Sequence, residues 1–514
     1  MADQLRWDHL SCYGHPHLQT PALDALARRG VRFDRAYVNA TVCGPSRMSY
    51  YTGRSMSSHG SNWNGVPLRV GEPTLGDHLR PLGMRVALVG KTHMSADMAG
   101  LKRLGVPGQS IEGTFARECG FEPYERDDGL HPDQVVDPDL RYNHYLKRLG
   151  YNEPNPWHAN ANAGEGADGD VLSGWFMRNA HLPARIAEEH SETAYMTDRA
   201  MAFIDEAKDQ PWCLHLSYIK PHWPYIAPAP YHAMFSADDM LPVNRDERER
   251  EDPHPVYAAY MRHPESESFS RDDVRRAVVP VYMGLIRQID DHLARLWRFM
   301  ETRGLWDNTM IVMTSDHGDY LGDHWLGEKE LFHEESARVP MILYDPDSAA
   351  DATRGTASDS FVEAIDLAPS FVEAAGGPDL SHVFEGRSLL PLTRTGTAAN
   401  WRNYVVSELD YSFRDARADL DIEPARARAY MLRTEHWKYV LFENFRPQLF
   451  DLVNDPHELD DRGADPALEQ VRNELHDRLF EWSRNRKSRI TVAENDVRAR
   501  AGSARKRGIV IGEW

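Results

Sequence analysis

Apolar residues recur along the chain in two rhythms. After Thr20-Pro21, Leu23, Leu26 and Ala27 share one helical face, and Gly30 closes the segment. Within 272–303, Tyr282, Ile286, Ile289, Leu293 and Leu296 follow one another at spacings of four, three, four and three, a single buried stripe. Other stretches are short, continuous and apolar. Residues 84–90 and 309–314 predict buried strands, with further strands at 31–33, 212–218 and 339–344. Helices are expected at about 43–53, 75–82, 191–207 and from Asp366. Strands alternating with helices predict an α/β fold with a large central sheet. From about Gly386 the rhythm changes to short strands at 405–407, 429–433, 437–442 and 448–452, then a helix over 466–484. That pattern predicts a smaller antiparallel sheet with a packed helix. The expected organisation is a main unit over 1–385, a subdomain over 386–485 and a basic tail or oligomer arm over 486–514. Residues 120–185 and 241–271, rich in charge, Pro and Gly, read as loop insertions.

Chemistry-bearing residues collect where these strands end. Lys91 and His93 follow 84–90, His222 follows 212–218, and Asp316-His317 follow 309–314. Ligands of open α/β sheets sit beyond the carboxyl ends of strands. Cys43-Gly44-Pro45-Ser46-Arg47 adds a nucleophile at a helix start. Pro45 suits the first helical turn, the helix terminus favours anions, and Arg47 lies one turn from Cys43. A lone cysteine is commonly a small buried hydrophobe, so Cys43 draws its meaning from its neighbours. Together they suit attack on a tetrahedral anion such as sulfate or phosphate.

Composition narrows the partners. The 514 residues carry a net charge of −20, which argues against nucleic acid and anionic membranes, although a basic pocket fits inside an acidic protein. The four cysteines form no Cys-x-x-Cys pattern, and no apolar run approaches a membrane span; a cytoplasmic location is the expectation.

Cys43-x-Pro45-Ser46-Arg47 with Thr52-Gly53-Arg54 resembles the signature of the formylglycine-dependent sulfatases of the alkaline phosphatase superfamily. Gly90-Lys91-Thr92-His93, Lys220-Pro221-His222, Ser315-Asp316-His317-Gly318, Lys329 and Asp455-Pro456-His457-Glu458 extend the resemblance over nearly the whole chain. Asp3-Gln4, Asp316-His317 and Ala229-Pro230-Tyr231-His232 are similar to the arylsulfatase and phosphonate monoester hydrolase subgroup.

The resemblance implies an alkaline-phosphatase-like sandwich and a mechanism. Cys43 would be converted by a formylglycine-generating enzyme to 3-oxoalanine, whose hydrate attacks sulfur through a covalent sulfo-enzyme. Asp3, Gln4, Cys43, Asp316 and His317 would hold one divalent cation, calcium first and manganese as alternative. Arg47, Lys91 and Lys329 would bind the diol and sulfate oxygens. His222 or Lys329 would serve the leaving group, His93 would join the site, and Asn64 would line it. Lys91 and His93 match the sulfatase version of their motif, so small sulfate monoesters are favoured, with phosphonate monoesters or phosphodiesters as the alternative. A homo-oligomer, dimer or tetramer, is also expected. The family places an apolar strand before the first metal aspartate. Its absence here implies an upstream start and an Asp3 without its supporting strand.

Overall fold

The computed structural model describes residues 1–512. Its main sheet contains β1 (Ala2–Asp3), β2 (Val31–Tyr37), β3 (Arg85–Gly90), β4 (Glu122–Arg126), β5 (Trp212–Pro221), β6 (Ile311–Thr314), β7 (Met341–Tyr344) and β8 (Thr356–Glu363). Two ladders, β8-β2-β7-β6 and β1-β5-β3-β4, meet at a parallel bridge between Ala2 and Ser315. β7 runs antiparallel to both its neighbours, and every other adjacent pair is parallel. The carboxyl ends of β1, β2, β3, β5 and β6 therefore open on one side, and the candidate residues follow those ends.

Each face of the sheet carries a core. One is built on α1 (Pro21–Arg29), α3 (Glu192–Ala207) and α4 (Asp272–Thr302), with Leu23, Phe203, Ile286 and Leu293 buried. The other packs α2 (Cys43–Thr52) and α5 (Leu367–Ala374) through Met48, Tyr51 and Ala368. The stripe read from Tyr282 to Leu296 is buried, as its spacing requires.

The smaller sheet, β9 (Tyr404–Asp410), β10 (Arg428–Thr434), β11 (Trp437–Phe442) and β12 (Gln448–Asp451), is antiparallel throughout. Its strands cover α6 (Glu469–Arg484) through Leu475 and Leu479. Its other face joins the main unit around Tyr37, Tyr320 and Phe332. Beyond α6, Glu494–Arg500 and Ser503–Lys506 are short exposed helices.

Three expectations need correction. Residues 120–185 are not all loop: Glu122–Arg126 is an edge strand, Arg141–Arg148 a helix, and Ala163–Glu165 pairs with Val171–Ser173. A strand containing Pro123 among charged residues has no apolar signature, because an edge tolerates both. Likewise 241–271 contains the helices Pro255–Met261 and Pro264–Phe269, which bury Tyr257, Tyr260 and Phe269. Third, Asp3 is anchored. Ala2 and Asp3 pair with β5, and the Met1 amino group donates to the Leu216 carbonyl at 2.9 Å. No described helix is long and apolar enough to cross a membrane.

Candidate active site

Cys43 is the first residue of α2, and all ten residues of that helix are buried. The Gly44 N–H donates to Asn64 Oδ1 at 2.7 Å, so Asn64 satisfies a helix-terminal donor beside Cys43. Gly53 closes the helix in the left-handed conformation its φ of 64° demands.

Asp3, Cys43, Asp316 and His317 each turn one ligating atom into a common space, with those atoms within 4.8 Å of one another. All four are fully buried. His317 Nε2 is 3.1 Å from the Cys43 sulfur, while its Nδ1–H donates to the Gly318 carbonyl at 2.9 Å. That second bond fixes the tautomer and leaves the Nε2 lone pair for a cation. Two carboxylates and an imidazole fit a divalent metal of the calcium or manganese type.

Arg47 organises the cluster. Its Nε donates to Asp316 Oδ2 at 2.9 Å and its Nη2 to Asp3 Oδ2 at 3.0 Å. Nη1 donates to the Lys91 carbonyl and Ser217 Oγ, at 2.8 and 2.7 Å. The structure thus corrects the expectation that Arg47 grips the sulfate: its fork is engaged by protein, and it orients the two carboxylates. Lys91 lies 2.5 Å from Asp3 Oδ2. Burial alone would push Asp3 up, but Lys91, His222 and Arg47 outweigh it and hold the carboxyl well below its ordinary range.

Lys329 faces the cluster from a strained loop, with Glu328 and Glu330 at φ of 63° and 99°. Its ammonium donates to Gln4 Oε1 at 3.2 Å and approaches His222 Nε2 at 3.4 Å. His222 Nδ1–H donates to the Trp223 carbonyl at 2.7 Å, so Nε2 is the free lone pair. Lys220 donates to the Pro224 carbonyl at 2.8 Å and pins the turn that presents His222. Burial and the Lys91 charge lower His222 to about 4, which keeps it neutral near pH 7. Burial would lower Lys329, but Cys43, Glu328 and Asp3 raise it above its ordinary value. Burial would likewise raise the Cys43 thiol, yet Lys329, Lys91 and His317 bring it well below the usual range.

Two predicted residues are placed differently. Gln4, at φ 64°, turns its side chain to Lys329 and Asp319, while its backbone N–H donates to Asp316 Oδ1 at 3.0 Å. His93 is half-buried, its backbone N–H tied to Asp128 at 2.9 Å and its Nδ1 without a hydrogen-bond partner among the described residues. Sequence reasoning missed Ser217, Asp319, Tyr225 and Arg414. Tyr225 and Gln4 both donate to Asp319, at 2.6 and 2.5 Å, and Arg414 lies 3.0 Å from Glu330 beside Lys329. Asp319 lies within a strand-end run that sequence could flag; Arg414, in the connection between β9 and β10, carries no local signal.

A family model described as Sulfatase matches residues 1–377, and one described as N-sulphoglucosamine sulphohydrolase, C-terminal, matches 322–485. The chain is 31% identical to the multifunctional alkaline phosphatase superfamily protein PehA of Trinickia caryophylli, covering 91% of this chain and 90% of that protein. It is 26% identical to an arylsulfatase of Clostridium perfringens, over 89% and 88% of the two chains. Among solved structures, a phosphonate monoester hydrolase from Silicibacter pomeroyi superposes with a TM-score of 0.83 at 27% identity, covering 96% and 97%. That of Agrobacterium radiobacter gives 0.80 at 26%, covering 94% of each chain.

Proposed function

The chain belongs to the sulfatase family of the alkaline phosphatase superfamily, and from that premise we propose that it hydrolyses sulfate monoesters through an oxygen nucleophile derived from Cys43. The observation that carries the reading is the convergence on Cys43 of a cation-binding donor set and two lysines. When bound, the divalent cation would supply Lewis acidity and lower the pKa of the attacking hydroxyl; Asp3, Asp316 and His317 would hold it. Conversion of Cys43 to 3-oxoalanine would supply that hydroxyl and an exit from the covalent ester.

The chain's own residues do the rest. Arg47 holds both carboxylates in register, which keeps the donor set preorganised. Lys91 and Lys329 offer positive charge where sulfate oxygens carry negative charge. With Cys43 no longer a thiolate, Arg47, Lys91 and Lys329 stand against Asp3, Asp316 and Glu328, three charges to three, so a bound divalent cation would tip the balance to positive. With its cation the pocket would be positive inside a protein of net charge −20 and would select an anion. His222, neutral and hydrogen-bonded to Lys329, relays or stabilises charge on the leaving oxygen with that lysine.

Phosphonate monoester hydrolysis is the second reading, favoured by the two superposed hydrolases and by the multifunctional relative. Mass spectrometry of the Cys43 peptide from active protein tests the nucleophile: an aldehyde or its hydrate is expected, and an unmodified thiol in fully active protein would defeat the reading. Relative kcat/KM for matched aryl sulfate and aryl phosphonate esters then ranks the substrates, with sulfate expected to lead.

A further inference from the structure

The edge strand β4 runs up beside the turn that carries Lys91 and His93. Its pairing with β3 continues past both strand ends, the Asp127 N–H donating to the Gly90 carbonyl at 3.1 Å. The next residue, Asp128, takes two successive backbone N–H groups on one oxygen: Thr92 and His93 donate to Oδ1 at 3.0 and 2.9 Å. Arg126 Nη2 donates to Asp128 Oδ2 at 2.8 Å and to the Met94 carbonyl at 2.8 Å, while Nη1 is held by Glu118 at 3.0 Å. Burial would raise the Asp128 carboxyl, but Arg126, His93 and the two N–H groups bring it down to about 2, so it is ionised near pH 7. Carboxylate and guanidinium thus grip the backbone on both sides of His93. That grip has work to do, because His93 sits at φ 52°, a region a β-carbon disfavours. The turn also touches the nucleophile's helix: a Cβ on Gly44 would lie 3.2 Å from the His93 carbonyl oxygen.

The two halves of the turn are held from different directions. Lys91 is fixed from β5 and α2: its N–H donates to the Ser217 carbonyl at 3.2 Å, and its own carbonyl accepts from Arg47 Nη1. The bonds at Thr92, His93 and Met94 come from the end of β4 instead. The His93 ring leaves Nδ1 buried without a hydrogen-bond partner among the described residues, a position that a group from outside the protein would complete. We infer that Asp128, braced by Arg126, is a positioning residue that sets the pose from which His93 meets the ester. This rests on the sulfate-ester reading, in which His93 joins the site. The Asp128 side chain is engaged by two N–H groups and a guanidinium, so it acts through the turn and not on the substrate. An ionised acceptor suits that task, since its bonds to N–H groups are about twice as strong as neutral ones.

The test is a double-mutant cycle on 4-nitrophenyl sulfate and 4-nitrophenyl phenylphosphonate, with amide hydrogen exchange of residues 91–94 followed on the same proteins. Asp128→Ala should lower kcat/KM about 10²-fold, mostly through kcat, as a misplacement of ~1 Å does. Asp128→Asn keeps an acceptor oxygen and should recover to within about fivefold of wild type. Added to His93→Ala, Asp128→Ala should cost less than about twofold more, because nothing is left for it to position. Exchange at Thr92 and His93 should quicken in Asp128→Ala. Arg126→Gln, which loosens only the brace, should show smaller changes of the same kind and serves if the alanine variant does not fold. Additive losses in the double variant, or wild-type exchange and kcat/KM in Asp128→Ala, would overturn the positioning role while leaving the hydrolase reading standing. Wild-type inactivity on both esters would remove that reading and the role of Asp128 with it.

Discussion

Arg47 shows how much one side chain decides. A residue whose planar fork spans Asp316, Asp3, Ser217 and the Lys91 carbonyl cannot be replaced by a point charge. Arg47→Lys should weaken cation affinity and activity together, and Arg47→Ala should destabilise the fold by about 3–5 kcal/mol, because two buried carboxylates lose their partner. Calorimetric titration of the cation and thermal unfolding read the two effects; a variant that binds cation normally would contradict the assignment. Lys329→Gln should cut kcat/KM by about 10²–10³ and steepen its dependence on leaving-group pKa, measured over a series of substituted aryl sulfates. A chelator should abolish activity and lower the melting temperature, since the cation binds only the assembled cluster, and re-addition of calcium or manganese should restore both.

At the scale of elements, strand ends set the site and loops adjust it. Lys91, His222 and Asp316-His317 were legible because each follows a strand of the same sense, whereas Asp3 rested on the resemblance alone, its short strand having no apolar run to announce it. Apolar runs such as 84–90 and 309–314 revealed the strands themselves. What sequence could not show was pairing at a distance. The Arg47 fork was expected to face the substrate because helical spacing alone points it toward Cys43; its real partners arrive from other strands. Lys329 was named through the resemblance, but the turn that holds it and the approach of Arg414 stayed hidden for the same reason, since no local pattern encodes contacts between distant segments. Gly90 illustrates the tolerance at such a strand end. Its φ is 110°, and a Cβ there would lie 1.9 Å from the Ser217 carbonyl. Gly90→Ala should therefore cost about 3 kcal/mol and displace Lys91, read by denaturant midpoint and kcat/KM; wild-type values of both would refute it.

On the scale of the whole molecule, the two sheets are welded through buried charge. Lys438 of the small sheet lies 3.0 Å from Glu334, and its ammonium also pairs with Glu458 at 2.5 Å. Next to them, His324 sits 2.7 Å from Glu249 and 3.3 Å from Glu335. Burial would lower His324, but Glu335 and Glu249 raise it well above 6.5. A raised value means that the imidazolium stabilises the fold fully below its unfolded pKa of about 6.5 and progressively less as pH climbs toward the folded value. Relative to His324→Gln, wild type should lose its melting-temperature advantage as pH rises above 6.5, and a constant difference would count against the charged form. The complete burial of α2 carries a consequence of timing. On the proposed reading a maturation enzyme acting on Cys43 would need a pliable segment, and the finished fold offers none. If Cys43 is matured as proposed, modification and folding would run as a race on the newly made chain, and a molecule that folds first would be locked out of activity for as long as it stays folded.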